Sequence, residues 1–236
     1  MNISYKRASA IFVKDYKEFS RNYALSIMLL FPILFAVLFK SAGTPLPGAA
    51  GLLYNSSFVL LTCFAQACLI AEEKERNTLR TLMLTPATTM DVLMGKSSLV
   101  FVMSAVVLTI STLLFGYEPV NTGAFLAAIV LSIILYTAAG TICGLFSKTL
   151  LDASLSIIPV AFIFMGAPWG AVFAKDYPLF GVLDYMPSSQ LVRLLNLSPA
   201  GNTAAEIWLP LLIIAAWTAL LTLVSVVLYQ KRLRDE

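Results

Sequence analysis

The chain has no histidine, only three cysteines and, at 12%, few charged residues for its 236 positions. Each shortage closes off a class of function. Without histidine there is no imidazole to activate a serine or cysteine nucleophile. Cys63, Cys68 and Cys143 lie inside apolar runs with neither zinc nor disulfide spacing, so they are expected as small packing residues. A soluble domain carries roughly 25% charged residues. This chain has half of that and is 59% hydrophobic, so it needs lipid as solvent. No phosphate-cradling G-x-x-x-x-G-K-[ST] run is present, because Met90 stands where the glycine before Gly95-Lys96-Ser97 belongs. Carboxylates gather at span ends, which argues against an intramembrane aspartate pair for proteolysis or proton relay. The net charge of +3 flanks apolar runs rather than forming one patch, so no nucleic acid partner is expected.

What remains is a single transmembrane domain over 1–236, all-α and polytopic, with six spans. Residues 4–23 are expected as a helix lying in the membrane interface. At about 100° per residue, Phe12, Tyr16, Phe19 and Tyr23 share one face, and Arg7, Lys14, Lys17, Glu18 and Arg21 the other. Mixed charge and the lack of a small-residue cleavage site argue against a removable signal. The first span covers 24–41 and contains Pro32; Thr44-Pro-Leu-Pro-Gly48 makes a turn. The second, 51–71, carries Asn55, Ser56, Ser57 and Gln66, which lipid penalises unless they face protein or a cavity. The third and fourth cover 97–115 and 122–146. Gly140 and Gly144 have the G-x-x-x-G spacing that lets helix backbones meet, compatible with an internal contact or a dimer seam. The fifth, 153–174, is expected to be interrupted at Pro159, Gly166, Pro168 and Gly170. Residues 175–205 read as short outer helices dipping into the interface, helped by the amphipathic run Leu191, Val192, Leu194, Leu195. The sixth span covers 206–230, and Trp169 and Trp208 are expected as outer anchors.

Thirteen of the sixteen basic residues fall on one side of this topology, leaving Lys40, Lys175 and Arg193 on the other. The positive-inside bias puts both termini and the 72–90 loop in the cytoplasm. That loop is the longest polar interval between two apolar runs. Leu79, Leu82 and Met83 give it a short apolar helical stripe, Thr85-Pro86 disfavours continued helix, and Thr88 with Asp91 looks like a capping pair for the next one. A charged, helical loop tied to two spans suits docking of a soluble partner.

At this point the chain resembles the type-2 ABC exporter permeases (the ABC-2 family). The resemblance rests on six spans, an interfacial first helix with Lys14-Asp15-Tyr16-Lys17 and Arg21-Asn22, and the loop. Glu72, Glu73, Glu75, Thr78, Leu79, Leu82, Thr85, Pro86, Gly95 and Lys96 match the family's loop, while Asn77 replaces a glycine and Arg80 an acid. The resemblance implies a half-transporter of the plasma (cytoplasmic) membrane, contacting lipid and pairing with a second permease, identical or homologous. Two copies of an ATPase subunit would carry ATP and Mg, with no cofactor in this chain. It also implies an elbow helix (Phe12, Lys14, Tyr16, Phe19, Arg21) and outer re-entrant helices at 175–205. A coupling helix would carry Glu72, Glu73, Glu75, Arg76, Thr78, Leu79, Leu82, Met83 and Pro86. Substrate would pass along the second and fifth spans near Asn55, Ser57, Gln66 and Pro159. The uncharged spans favour an amphipathic cargo such as a drug, antimicrobial peptide or lipid-like molecule. Polysaccharide export and a secondary transporter without an ATPase are the alternatives.

Overall fold

The computed structural model describes residues 5–41, 48–75, 89–173, 177–198 and 203–235. Arg76, Thr78, Leu79, Leu82, Met83 and Pro86 of the expected coupling helix therefore lie outside the described residues, as do Thr88 and the 44–47 part of the first turn. Throughout the described residues the chain is helical or in short turns. Helix α1 (Tyr5–Arg21) meets the following helical pair, α2 (Tyr23–Met28) and α3 (Leu30–Ser41), at 88°. The expected 24–41 span is thus two helices with a turn at Leu29, which donates to the Ser26 carbonyl. Then come α4 (Ala49–Glu75), α5 (Thr89–Phe115), α6 (Thr122–Phe146) and α7 (Leu150–Val172). A 3₁₀ segment (Pro178–Tyr185) and α8 (Pro187–Leu195) precede α9 (Ala204–Asp235). Among the described residues, five helices are long and apolar enough to cross a membrane, six if the bent pair counts as one span.

Several boundaries differ from expectation, each for a physical reason. Helix α4 runs on to Glu75 and α5 begins at Thr89, because the charged residues at these ends find partners on neighbouring elements and need no loop to reach water. Helix α7 is continuous through Pro159 and Pro168. In lipid a fully broken helix would expose several backbone groups at several kcal/mol each, whereas one proline removes a single N–H. Asn121 caps α6 by accepting from the Ala124 amide at 3.0 Å, and Thr149 caps α7 by accepting from that of Asp152 at 3.1 Å.

Helix α4 sits at the centre, touching α5, α6, α7 and α8, while α9 packs along α6, and α1 and α3 along α5. Its uncharged polar side chains Asn55, Ser56, Ser57, Thr62 and Gln66 are all buried. Thr62 shares a 2.8 Å hydrogen bond with Ser104 of α5, and Gln66 donates to Thr141 of α6 at 3.0 Å. A π-helical stretch at Phe58–Cys63 stacks Phe58 on Tyr136 of α6 at 5.3 Å. Gly140 and Gly144 settle the G-x-x-x-G question in favour of an internal seam. A Cβ on Gly144 would lie 2.7 Å from the Ala67 carbonyl oxygen, and one on Gly140 would overlap that of Cys63.

Candidate functional site at the ends of the polar loop

The residues flanking positions 76–88 are held by a buried set of charges. On α1 the stripe Ile11, Asp15, Phe19 repeats every four residues and is buried. Asp15, which neither the aromatic nor the basic face included, is its middle member. This stripe packs on α5 and carries a carboxylate inward. Phe19 is buried while Tyr16 and Tyr23, on the same predicted aromatic face, are exposed; Phe12 is half-buried and Arg21 exposed. The helix therefore docks on a face turned from the aromatic one.

Lys96, two turns into α5, is 1% exposed and is flanked at three and four residues on either side by buried Val92, Leu93, Leu99 and Val100. Its ammonium reaches Glu73 Oε1 at 3.0 Å, Asp15 Oδ2 at 3.2 Å and the Leu69 carbonyl at 3.2 Å, which uses all three of its donors. Lys14 completes the set, 3.2 Å from Glu73 Oε1 and 3.6 Å from both Asp15 and Glu18. Two cations face two buried carboxylates, so the cluster is internally neutralised. Partial burial would lower the pKa of Lys14, but Glu73, Asp15 and Glu18 outweigh it and raise it above the usual lysine value, keeping the ammonium charged.

The next two residues of α4 reach other spans. Lys74 donates to the carbonyls of Leu145 at 2.7 Å and Ser147 at 2.6 Å, satisfying the C-terminal end of α6. Glu75 accepts from the Leu150 amide at 2.8 Å, satisfying the first N–H of α7. A cation at a helix C-terminus and a carboxylate at an N-terminus each complement the helix dipole. Three consecutive residues thus bind the end of α4 to α1 and α5, to α6 and to α7. The sequence puts Glu72, Glu73 and Glu75 at the start of the charged loop; in the structure Glu73 is buried, Glu72 half-buried and Glu75 exposed. Lys74 received no site role there, and Asp15 entered only as part of the motif of the interfacial first helix. A charge in the middle of an apolar i, i+4 stripe was the available signal for Asp15 and Lys96.

The four residues expected along a substrate path are spread over different settings. Ser57 is buried and donates to the Leu53 carbonyl at 2.6 Å, and Gln66 is buried against α6. Pro159 is exposed on α7. Asn55 lines a cavity of about 150 Å³ between the start of α4, the end of α7 and α8. Its amide donates to the Ser188 carbonyl at 3.4 Å, and its Oδ1 is buried with no hydrogen-bond partner. The remaining wall is largely apolar, including Leu52, Met165 and Trp169.

Taken together, these features define a polytopic helical membrane protein whose loop-bearing helix is tied by ion pairs and helix-end contacts to the rest of its bundle. The family model for ABC-2 family transporter proteins matches residues 21–227, and the chain belongs to that family. It is a membrane subunit of a transporter. Among curated proteins none matches the chain.

Proposed function

We propose that this chain is the permease half of an ATP-driven exporter, working as a dimer with a second permease and with two copies of a separate ATPase subunit docked on the 72–90 loop. The observation that carries this reading is the set of grips made by Glu73, Lys74 and Glu75. A displacement of the loop would pull at once on α1, α5, α6 and α7, which is the stiffness that transmission of an ATPase stroke requires. Both termini and the loop would face the cytoplasm, by the charge bias of the sequence. The exported substrate would be amphipathic, since the Asn55 cavity offers one unpartnered acceptor amid apolar walls.

The test is coexpression with an ABC ATPase subunit, followed by ATP hydrolysis and transport in proteoliposomes. A Lys74→Met/Glu75→Gln variant should still fold and still bind the ATPase, yet lose at least about tenfold in transport per ATP hydrolysed. Failure of any ATPase to co-purify with the wild type, or normal transport by the variant, would remove the reading and favour a secondary transporter.

A further inference from the structure

Between Leu52 and Glu75, α4 contains neither glycine nor proline, yet its hydrogen-bond ladder changes step in the middle. The Phe64 amide donates to the Val59 carbonyl, five positions back instead of four, within the π-helical stretch Phe58–Cys63. Such a stretch carries one residue more than an α-helical turn needs. Packing holds it there: Phe58 lies flat on Tyr136, Thr62 bonds to Ser104, and the Cys63 carbonyl faces Gly140.

The extra residue sets how the two halves of the helix face their partners. Tyr54 and Thr62 stand eight positions apart in sequence, which is about 80° round a plain α-helix. With one residue's turn taken up by the π stretch they come within about 20°. Both do face α5, Tyr54 sharing a 2.8 Å hydrogen bond with Thr112, and Thr62 one of 2.8 Å with Ser104. The inner half is fixed by Gln66 and the grips of Glu73, Lys74 and Glu75, the outer half by Val192 of α8 against Gly51. Two anchored halves in different register thus meet at Phe58–Cys63.

The turn just outward is prepared to receive the extra residue. The Leu53 carbonyl accepts from Ser56 Oγ at 3.1 Å and from Ser57 Oγ at 2.6 Å. A hydroxyl bonded back to its own helix keeps a carbonyl satisfied when the backbone bond to it opens. In a membrane interior, that removes the main cost of opening it.

We propose that the π stretch is a moving register joint. Its extra residue passes outward beyond Asn55 and turns Asn55–Ser57 by about 100°, while both ends of α4 keep their anchors. Asn55 then leaves the Ser188 carbonyl and the wall of its cavity, so that the joint admits and releases cargo there. This last role rests on the permease reading above; the joint itself does not.

The test has two arms. In hydrogen exchange mass spectrometry of the full chain in lipid nanodiscs, amides 58–64 should exchange about tenfold faster than amides 65–72. Ser56→Ala/Ser57→Ala should slow them about fivefold, the worth of one hydrogen bond. Deleting Leu60, which is half-buried, removes the extra residue, so the chain should fold with amides 58–64 as protected as their neighbours. Deleting Ala67, where the ladder is plain α-helix, should unfold it. Equal protection of the two segments in the wild type, or a Leu60 deletion as destabilised as that of Ala67, would overturn the joint. In complex with an ABC ATPase subunit, the Leu60 deletion should still hydrolyse ATP yet lose at least about tenfold in transport. Normal transport by it would overturn the role at the cavity. Absence of any ATPase complex would take that role down with the permease reading, and the exchange result alone would decide the joint.

Discussion

Helices α4 and α7 are both expected as spans from apolar runs, yet they occupy opposite roles. In α4, 89% of the most apolar window is buried inside the protein; in α7 the figure is 22%. Helix α4 is the less hydropathic of the two and carries Asn55, Ser56, Ser57, Thr62 and Gln66, all buried. Helix α7 shows Leu151, Leu155, Phe162 and Trp169 to its surroundings. The span that is poorest in apolar residues is the one surrounded by protein, because only there can polar side chains find partners. The most hydropathic span, α9, has only 22% of its window buried inside the protein.

The contrast can be broken most severely at the charged end of α4. Lys96→Ala leaves buried Asp15 and Glu73 with only the half-exposed Lys14 as a cation and should cost about 3–5 kcal/mol of stability, read as a lowered denaturation midpoint in detergent. Lys96→Met combined with Asp15→Asn and Glu73→Gln removes the charges together and should recover most of it. A loss from Lys96→Ala below about 1 kcal/mol would mean that water reaches the cluster and the surface-pair regime applies.

Next in size are the glycines. Gly140→Val must push α6 off the Cys63 backbone and should destabilise by about 1–3 kcal/mol as an overpacked contact. Gly166→Ala on α7 meets nothing within 4 Å and should be neutral or stabilising by up to about 1 kcal/mol, from helix propensity. Should Gly166→Ala instead impair assembly while leaving the monomer stable, size-exclusion chromatography would place a subunit contact on that face of α7.

The smallest effects compare single side chains. Gln66→Met removes a hydrogen bond to Thr141 at nearly constant volume and should cost about 0.5–1.5 kcal/mol. Leu155→Ala, at an exposed site, should fall within about 0.5 kcal/mol of the wild type. Equal losses from the two substitutions would erase the distinction between the helices.

How much of this was written legibly in the chain varies with the kind of interaction. The limits of α6 at Thr122 and Phe146 follow directly from its apolar run, Asn121 and the terminal Ser147. The helical character of 187–195, and the burial of Leu191, Leu194 and Leu195, also follow from spacing. The grips of α4 do not, because the partners of Lys74 and Glu75 lie 71 to 75 positions away and are backbone groups that no side-chain pattern advertises. Nor could periodicity tell which face of α1 turns inward. The aromatic residues suggested one, but the pairing of Asp15 with Lys96 across 81 positions selects another.

Glu73, Lys74 and Glu75 are successive residues of one helix, so their side chains leave its axis about 100° apart. They engage neighbours around more than half of its circumference, as splines engage a shaft. A simple pull along α4 strains each contact a little, but a rotation of its end strains all of them together. On the proposed coupling role, a rotation of the loop would therefore meet a stiffer bundle than a push along α4 would.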